Sequence, residues 1–293
     1  MCDNDSLDDM IRHRLRVVGE LSRRQFGALT LSAGIMAALA QEAQAATETQ
    51  DSEVQIRTPD GAADAYFVHP AKGRAPGVLV WPDIFGLRPA FRQMGRRLAQ
   101  SGYAVLVVNP FYRTQKAPTA PEHADFDDPQ TRKTLMSLHD TLTPATARTD
   151  AKDFISYLDS QAAVDPKRKM ATTGYCMGGP LVMETAAAMA DRVGAAATFH
   201  GGGLVTDQPD SPHLLIPKMK AHFLIAIAAN DDQRQPEAKS VLRDSFAKAR
   251  LPAEIEVYPG TLHGWCPTDS KVYNAEQAEK AWSRMLVLFK SIG

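Results

Sequence analysis

The sequence predicts an α/β domain with a mostly parallel central sheet and helices on both faces. Short apolar runs alternate with segments of helical periodicity from Gly77 onward, which is the pattern a parallel sheet with crossover helices requires. The runs are continuous rather than alternating, as in strands buried on both faces. One of them leads through Lys169-Met170-Ala171-Thr172-Thr173 into Gly174-Tyr175-Cys176-Met177-Gly178-Gly179, a strand-to-helix turn with glycines on either side of a cysteine.

The elements follow in order. Segments 53–58 and 63–69 read as two strands across the turn Pro59-Asp60-Gly61, after a polar start over 46–52. Gly77–Trp81 is a buried strand, 90–101 a helix that stops before Gly102, and 103–108 another buried strand. Residues 110–129 are rich in Pro, Asp and Thr and lack periodicity, so they read as a long loop overhanging a site. Helices are expected over 130–142 and 146–162. A strand over 170–173 and a helix over 178–190 flank the cysteine turn. Strands at 194–199, His222–Ala228 and Ala253–Tyr258, with helices at 236–249 and 274–291, complete the pattern.

Composition narrows the function. The chain has 293 residues, 44% hydrophobic and 23% charged, with a formal net charge of −1. That balance offers no electrostatic footprint for nucleic acid or an anionic membrane surface. Neither a metal-ligand cluster nor a phosphate loop stands out, so no cofactor is expected. Residues 1–45 read as a leader: Ser22-Arg23-Arg24-Gln25-Phe26 is a twin-arginine pattern, a mildly apolar stretch follows, and Ala43-Gln44-Ala45 offers a small-x-small cleavage site. This predicts a folded domain over 46–293, the Tat export machinery as a partner, and a bacterial periplasmic or secreted location. The leader's core is too short and weak for a stable membrane anchor.

The cysteine turn has the G-x-nucleophile-x-G form of an α/β-hydrolase elbow, with cysteine where serine is usual. Such an elbow leaves one side chain protruding at a strand tip. It also frees the next backbone N–H, that of Met177, to meet an oxyanion. Asn230-Asp231-Asp232 and then His263-Gly264 follow, each after an apolar run. Nucleophile, acid, histidine is the chain order of that fold. Cys176 is therefore the candidate nucleophile and His263 the base, which would help to form the thiolate. Of the adjacent Asp231 and Asp232, only one can point inward as the acid. The second oxyanion donor is expected from the loop after Trp81, at Ile84. Small esters or lactones are the expected substrates. A different reading makes Cys176 and Cys266 a reversible thiol pair of a redox sensor.

Taken together, Asp83-Ile84-Phe85-Gly86, the cysteine elbow, Ala228-Ala229-Asn230-Asp231 and Tyr258-Pro259-Gly260 leading to His263 resemble the dienelactone hydrolase (carboxymethylenebutenolidase) family over residues 53–291. The resemblance implies an α/β-hydrolase fold, Asp231 rather than Asp232 as the acid because it follows the Ala228-Ala229-Asn230 turn, and thioester-forming hydrolysis. The chain departs from the family pattern twice. Asp83 stands where relatives carry a glutamate that interacts with the resting thiol. Pro267 stands where dienelactone hydrolases proper carry an arginine that receives the substrate carboxylate. Arg113, with Tyr112 beside it, roughly matches another anion-binding arginine of the family, so Asp83, Tyr112, Arg113 and Asp232 are candidate site-lining residues.

Overall fold

The computed structural model describes residues 47–291; the leader read over 1–45 lies outside them. Eight strands form one sheet: β1 (Thr49–Thr58), β2 (Gly61–Pro70), β3 (Gly77–Trp81), β4 (Ala104–Val108), β5 (Met170–Tyr175), β6 (Val193–Phe199), β7 (His222–Ala228) and β8 (Ala253–Tyr258). Their spatial order is β1-β2-β4-β3-β5-β6-β7-β8. The β1–β2 hairpin is antiparallel and joins β4 antiparallel, whereas β3 to β8 run parallel. This is the α/β-hydrolase fold.

The central strands are apolar throughout because both faces are covered. Val78 and Val80 face one buried cluster with Phe91, Leu98, Trp282 and Phe289. Leu79 and Trp81 face the other, with Phe154, Leu158 and Val182. The alternation of side chains along a strand thus feeds two cores rather than one core and solvent. The helices that supply those layers are α1 (Pro89–Gln100), α2 (Pro129–His139), α3 (Pro144–Ser160), α4 (Gly178–Ala188), α5 (Ala229–Arg234), α6 (Ala238–Ala249) and α7 (Ala275–Lys290). Among the described residues, no helix is long and apolar enough to cross a membrane.

Two local departures from expectation have physical causes. Strand β1 begins at Thr49, inside the stretch read as a polar start, because backbone pairing with β2 continues out to Pro70. An edge strand needs no apolar alternation to make those bonds. Helix α2 ends at His139, short of the expected 142, because Pro144 at the start of α3 forces Thr143 into extended backbone (φ −121°, ψ 161°). Thr143 then caps α3 in a capping box with Thr146, at 3.1 Å to its N–H.

Candidate active site

Strand β5 ends at Tyr175, and Cys176 turns the chain with φ 53°, a left-handed conformation rare for a residue with a side chain. Its N–H donates to Phe199 O at 3.0 Å, and its carbonyl accepts from Gly179 N at 3.0 Å as α4 begins. The turn is possible only because the chain passes so close to itself. A Cβ at Gly174 would fall on the Gly178 carbonyl, and one at Gly178 on the Trp81 carbonyl. Cys176 is left half-buried at the sheet's C-terminal end.

The acid and histidine loops are stitched together above β7 and β8. The Asn230 side chain accepts the His263 N–H at 2.8 Å, and Ala229 N donates to Thr261 Oγ1 at 3.2 Å. These bonds place His263 Nδ1 2.7 Å from Asp231 Oδ2. Burial of the ring opposes its charge. Hydrogen bonding to Asp231 and to Cys176 outweighs that cost and pushes His263 up from 6.5 to about 10. The imidazole thus has a carboxylate on its Nδ1 side, and it can hold a proton at neutral pH.

Cys176 and His263 line one cavity of about 540 Å³, together with Ile84 and Met177, a volume suited to a small-molecule ligand. Its other walls come from the α2–α3 junction, from α4 and from the loop 202–212. The expected overhang, 110–129, contributes no wall residue among those described; it packs instead on the Ile84 loop through Thr119 Oγ1 to Phe85 O at 3.2 Å.

Four residues expected beside the ligand are engaged elsewhere. Arg113 is a correction: its guanidinium grips Asp60 Oδ2 at 2.7 Å and Asp150 Oδ1 at 2.6 Å, so its fork is already filled. Tyr112 is another, since its hydroxyl bonds Asp150 at 2.8 Å and Thr58 at 2.9 Å. Asp83 is buried and bound by both terminal nitrogens of Arg88, at 2.6 and 2.9 Å, and by Phe85 N at 3.0 Å. Asp232 pairs with Lys239 Nζ at 2.7 Å. Cys266 is a free, buried thiol that opens on a different cavity from Cys176. No cluster of three His, Cys, Asp or Glu side chains among the described residues is arranged to hold a metal.

The model of the dienelactone hydrolase family matches residues 63–293. The chain belongs to the dienelactone hydrolase family. Proteins named "Putative carboxymethylenebutenolidase" are similar to it. The one from Escherichia coli is 28% identical over 234 residues, 78% of this chain and 82% of that one. The one from Methylorubrum extorquens is 26% identical over 285 residues, 93% of this chain and 94% of that one. A Klebsiella pneumoniae crystal structure described as "Putative Dienelactone Hydrolase" superposes with a TM-score of 0.71 at 24% identity, covering 83% of this chain and 99% of that one. Membership makes the protein a hydrolase.

Sequence reasoning missed residues within this family fold whose roles depend on distant neighbours. Asn230 was read only as part of the acid turn. Arg88 ties Asp83 to Asp269, donating to it at 2.7 and 3.0 Å. His200, one residue past the end of β6, belongs to no local motif. It has φ 41° and is 1% exposed, its ring centroid lies 5.1 Å from that of His263, and neither ring nitrogen has a partner. A histidine one residue past the strand next to the elbow was the available signal.

Burial, and then the charge of His263, holds His200 well below its ordinary 6.5. A depressed value in the fold means that stability is full above about 6.5 and is lost as pH falls below it. Urea midpoints are therefore expected to drop between about pH 7 and 5. His200→Asn tolerates the left-handed backbone and carries no titrating ring, so it should flatten that slope. An equal slope in both proteins would refute the assignment.

Proposed function

We propose that the protein hydrolyses small-molecule esters or lactones through Cys176, His263 and Asp231, by way of a thioester acyl-enzyme. The observation that carries this reading is that His263, bound to Asp231 at 2.7 Å, shares the wall of one ligand-sized cavity with Cys176. The relatives' name, carboxymethylenebutenolidase, supports a lactone or ester as the substrate.

Cys176 Sγ, as thiolate, attacks the carbonyl carbon, and the carbonyl electron pair moves to oxygen. The N–H groups of Met177 and Ile84, which both border the cavity, would hold that oxyanion. As it collapses, the C–O bond to the leaving group breaks and His263 gives that alkoxide its proton. A thioester and a neutral imidazole remain. Acylation also removes the thiolate that helped to raise His263, so the ring becomes readier to stay neutral and act as base. It takes a proton from water as the water oxygen attacks the thioester. The second tetrahedral species expels the Cys176 thiolate and releases the acid. Asp231 holds the ring tautomer throughout and stabilises the imidazolium.

The test is direct. Protein quenched during turnover of a p-nitrophenyl ester should gain the mass of one acyl group, mapped to Cys176 and released by hydroxylamine. Full turnover with no acyl mass at Cys176, together with undiminished hydrolysis in Cys176→Ala, would overturn the proposal.

A further inference from the structure

Apart from the catalytic candidate His263, the cavity beside Cys176 takes its charge from carboxylates. Glu184, on α4, and Asp210, on the loop after β6, both line it. Glu184 is buried and accepts one bond from Arg148 Nη1, at 2.8 Å. Its charge is thereby balanced once, and Asp210 at the exposed rim adds a second negative charge close enough to be felt by Glu184. Aliphatic groups make up much of the remaining wall, among them Met136, Leu142, Pro144 and Leu181.

No lysine or arginine is among the lining residues described. The arginines that might have supplied one are spent. Arg113 is bound by Asp60 and Asp150, and Arg88 is bound by both oxygens of Asp83 and both of Asp269. Position 267, four residues beyond His263, is proline. A carboxylate entering this cavity would shed water, meet Asp210 and Glu184, and find no guanidinium to replace its hydration. An uncharged acyl chain would lose nothing on the aliphatic wall and gain from leaving water.

We infer that this site is built for esters or lactones that carry no negative charge, and that it discriminates against carboxylate-bearing ones such as dienelactones. The inference rests on the hydrolase reading of the same site. The rejection is electrostatic, arising from Asp210, the lining carboxylate that no arginine pairs, whereas Glu184 is held by Arg148; the preference for neutral substrates is hydrophobic.

The experiment compares kcat/KM for three p-nitrophenyl esters of matched length: butyrate, hemisuccinate and 4-(trimethylammonio)butyrate. The neutral ester should exceed the anionic one by more than about tenfold, the scale a single uncompensated charge commands, and the cationic ester should also exceed the anionic one. Added salt should narrow the gap. Asp210→Asn should narrow the neutral-to-anionic ratio by about threefold or more, the effect of removing one partly screened like charge. A neutral-to-anionic ratio of tenfold or less overturns the inference and leaves the hydrolase reading standing. A ratio that Asp210→Asn does not move overturns the assignment of rejection to Asp210. No turnover of any of the three overturns the hydrolase reading, and this inference with it.

Discussion

His263→Ala is expected to lower kcat/KM for neutral p-nitrophenyl esters by about 10³- to 10⁴-fold, the scale of a lost general acid and base, with little change in melting temperature. The ring is hydrogen-bonded to the Asp231 carboxylate and lines the same cavity as the Cys176 sulfur. Its removal leaves no acid for the leaving group and no base for the incoming water. Cys176→Ala should cost about as much, and the double variant little more than either alone, because residues acting as a unit are not additive. Asp231→Asn should cost about 10²- to 10⁴-fold by presenting the wrong partner to Nδ1. Asp232→Asn should stay within about twofold, since its carboxylate is held by Lys239 on the far side of the acid turn. Steady-state kinetics of the five proteins checks the set. A large loss in Asp232→Asn with none in Asp231→Asn would reverse the assignment of the acid.

Gly178→Ala should be among the most damaging single methyl additions in the described chain, beside Gly174→Ala, whose Cβ would fall on the Gly178 carbonyl. A Cβ at Gly178 would fall on the Trp81 carbonyl oxygen and lie 2.9 Å from that of Pro82. Both obstacles are backbone, and Trp81 ends a central strand flanked by β4 and β5 and is itself paired with Gly174 of β5, so neither can step aside. Overpacking of that kind costs about 3 kcal/mol or more. Because Gly178 begins α4 directly after Met177, any accommodation also displaces the sulfur and the Met177 N–H. Denaturant midpoints and ester turnover should both collapse. Gly202→Ala is the contrast: a Cβ there meets nothing within 4 Å, and its stability should stay within about 0.5 kcal/mol. Equal stability of the two variants would show that the elbow is not as tightly closed as the geometry implies.

Much of the fold was legible because burial on both faces leaves a plain signature. Gly77–Trp81, His222–Ala228 and Ala253–Tyr258 were read to the residue. The outer part of β1 was not, because its exposed side chains carry no pattern and its pairing partner alone defines it. The six-residue α5 is too short for periodicity to register. In the site, the elbow and the order of acid and histidine were visible as local motifs. What escaped were side chains defined by whom they touch. Arg113 looks the same in sequence whether it waits for a ligand or is locked to Asp60 and Asp150, which lie 53 and 37 positions away. The cavity walls were missed for a related reason. They come from a helix junction and a glycine-rich loop, not from the proline-rich segment whose composition suggested a lid.

Arg88 gives the mouth of the site an unusual mechanical character. One guanidinium is shared by Asp83, one residue before Ile84, and by Asp269, six residues beyond His263, although the two carboxylates lie far apart along the polymer. The loop that holds Ile84 and the loop that holds His263 are thereby riveted into a single part. Drift in either is felt by the other, so their spacing is set by one rigid planar cation rather than by the summed slack of two independent loops.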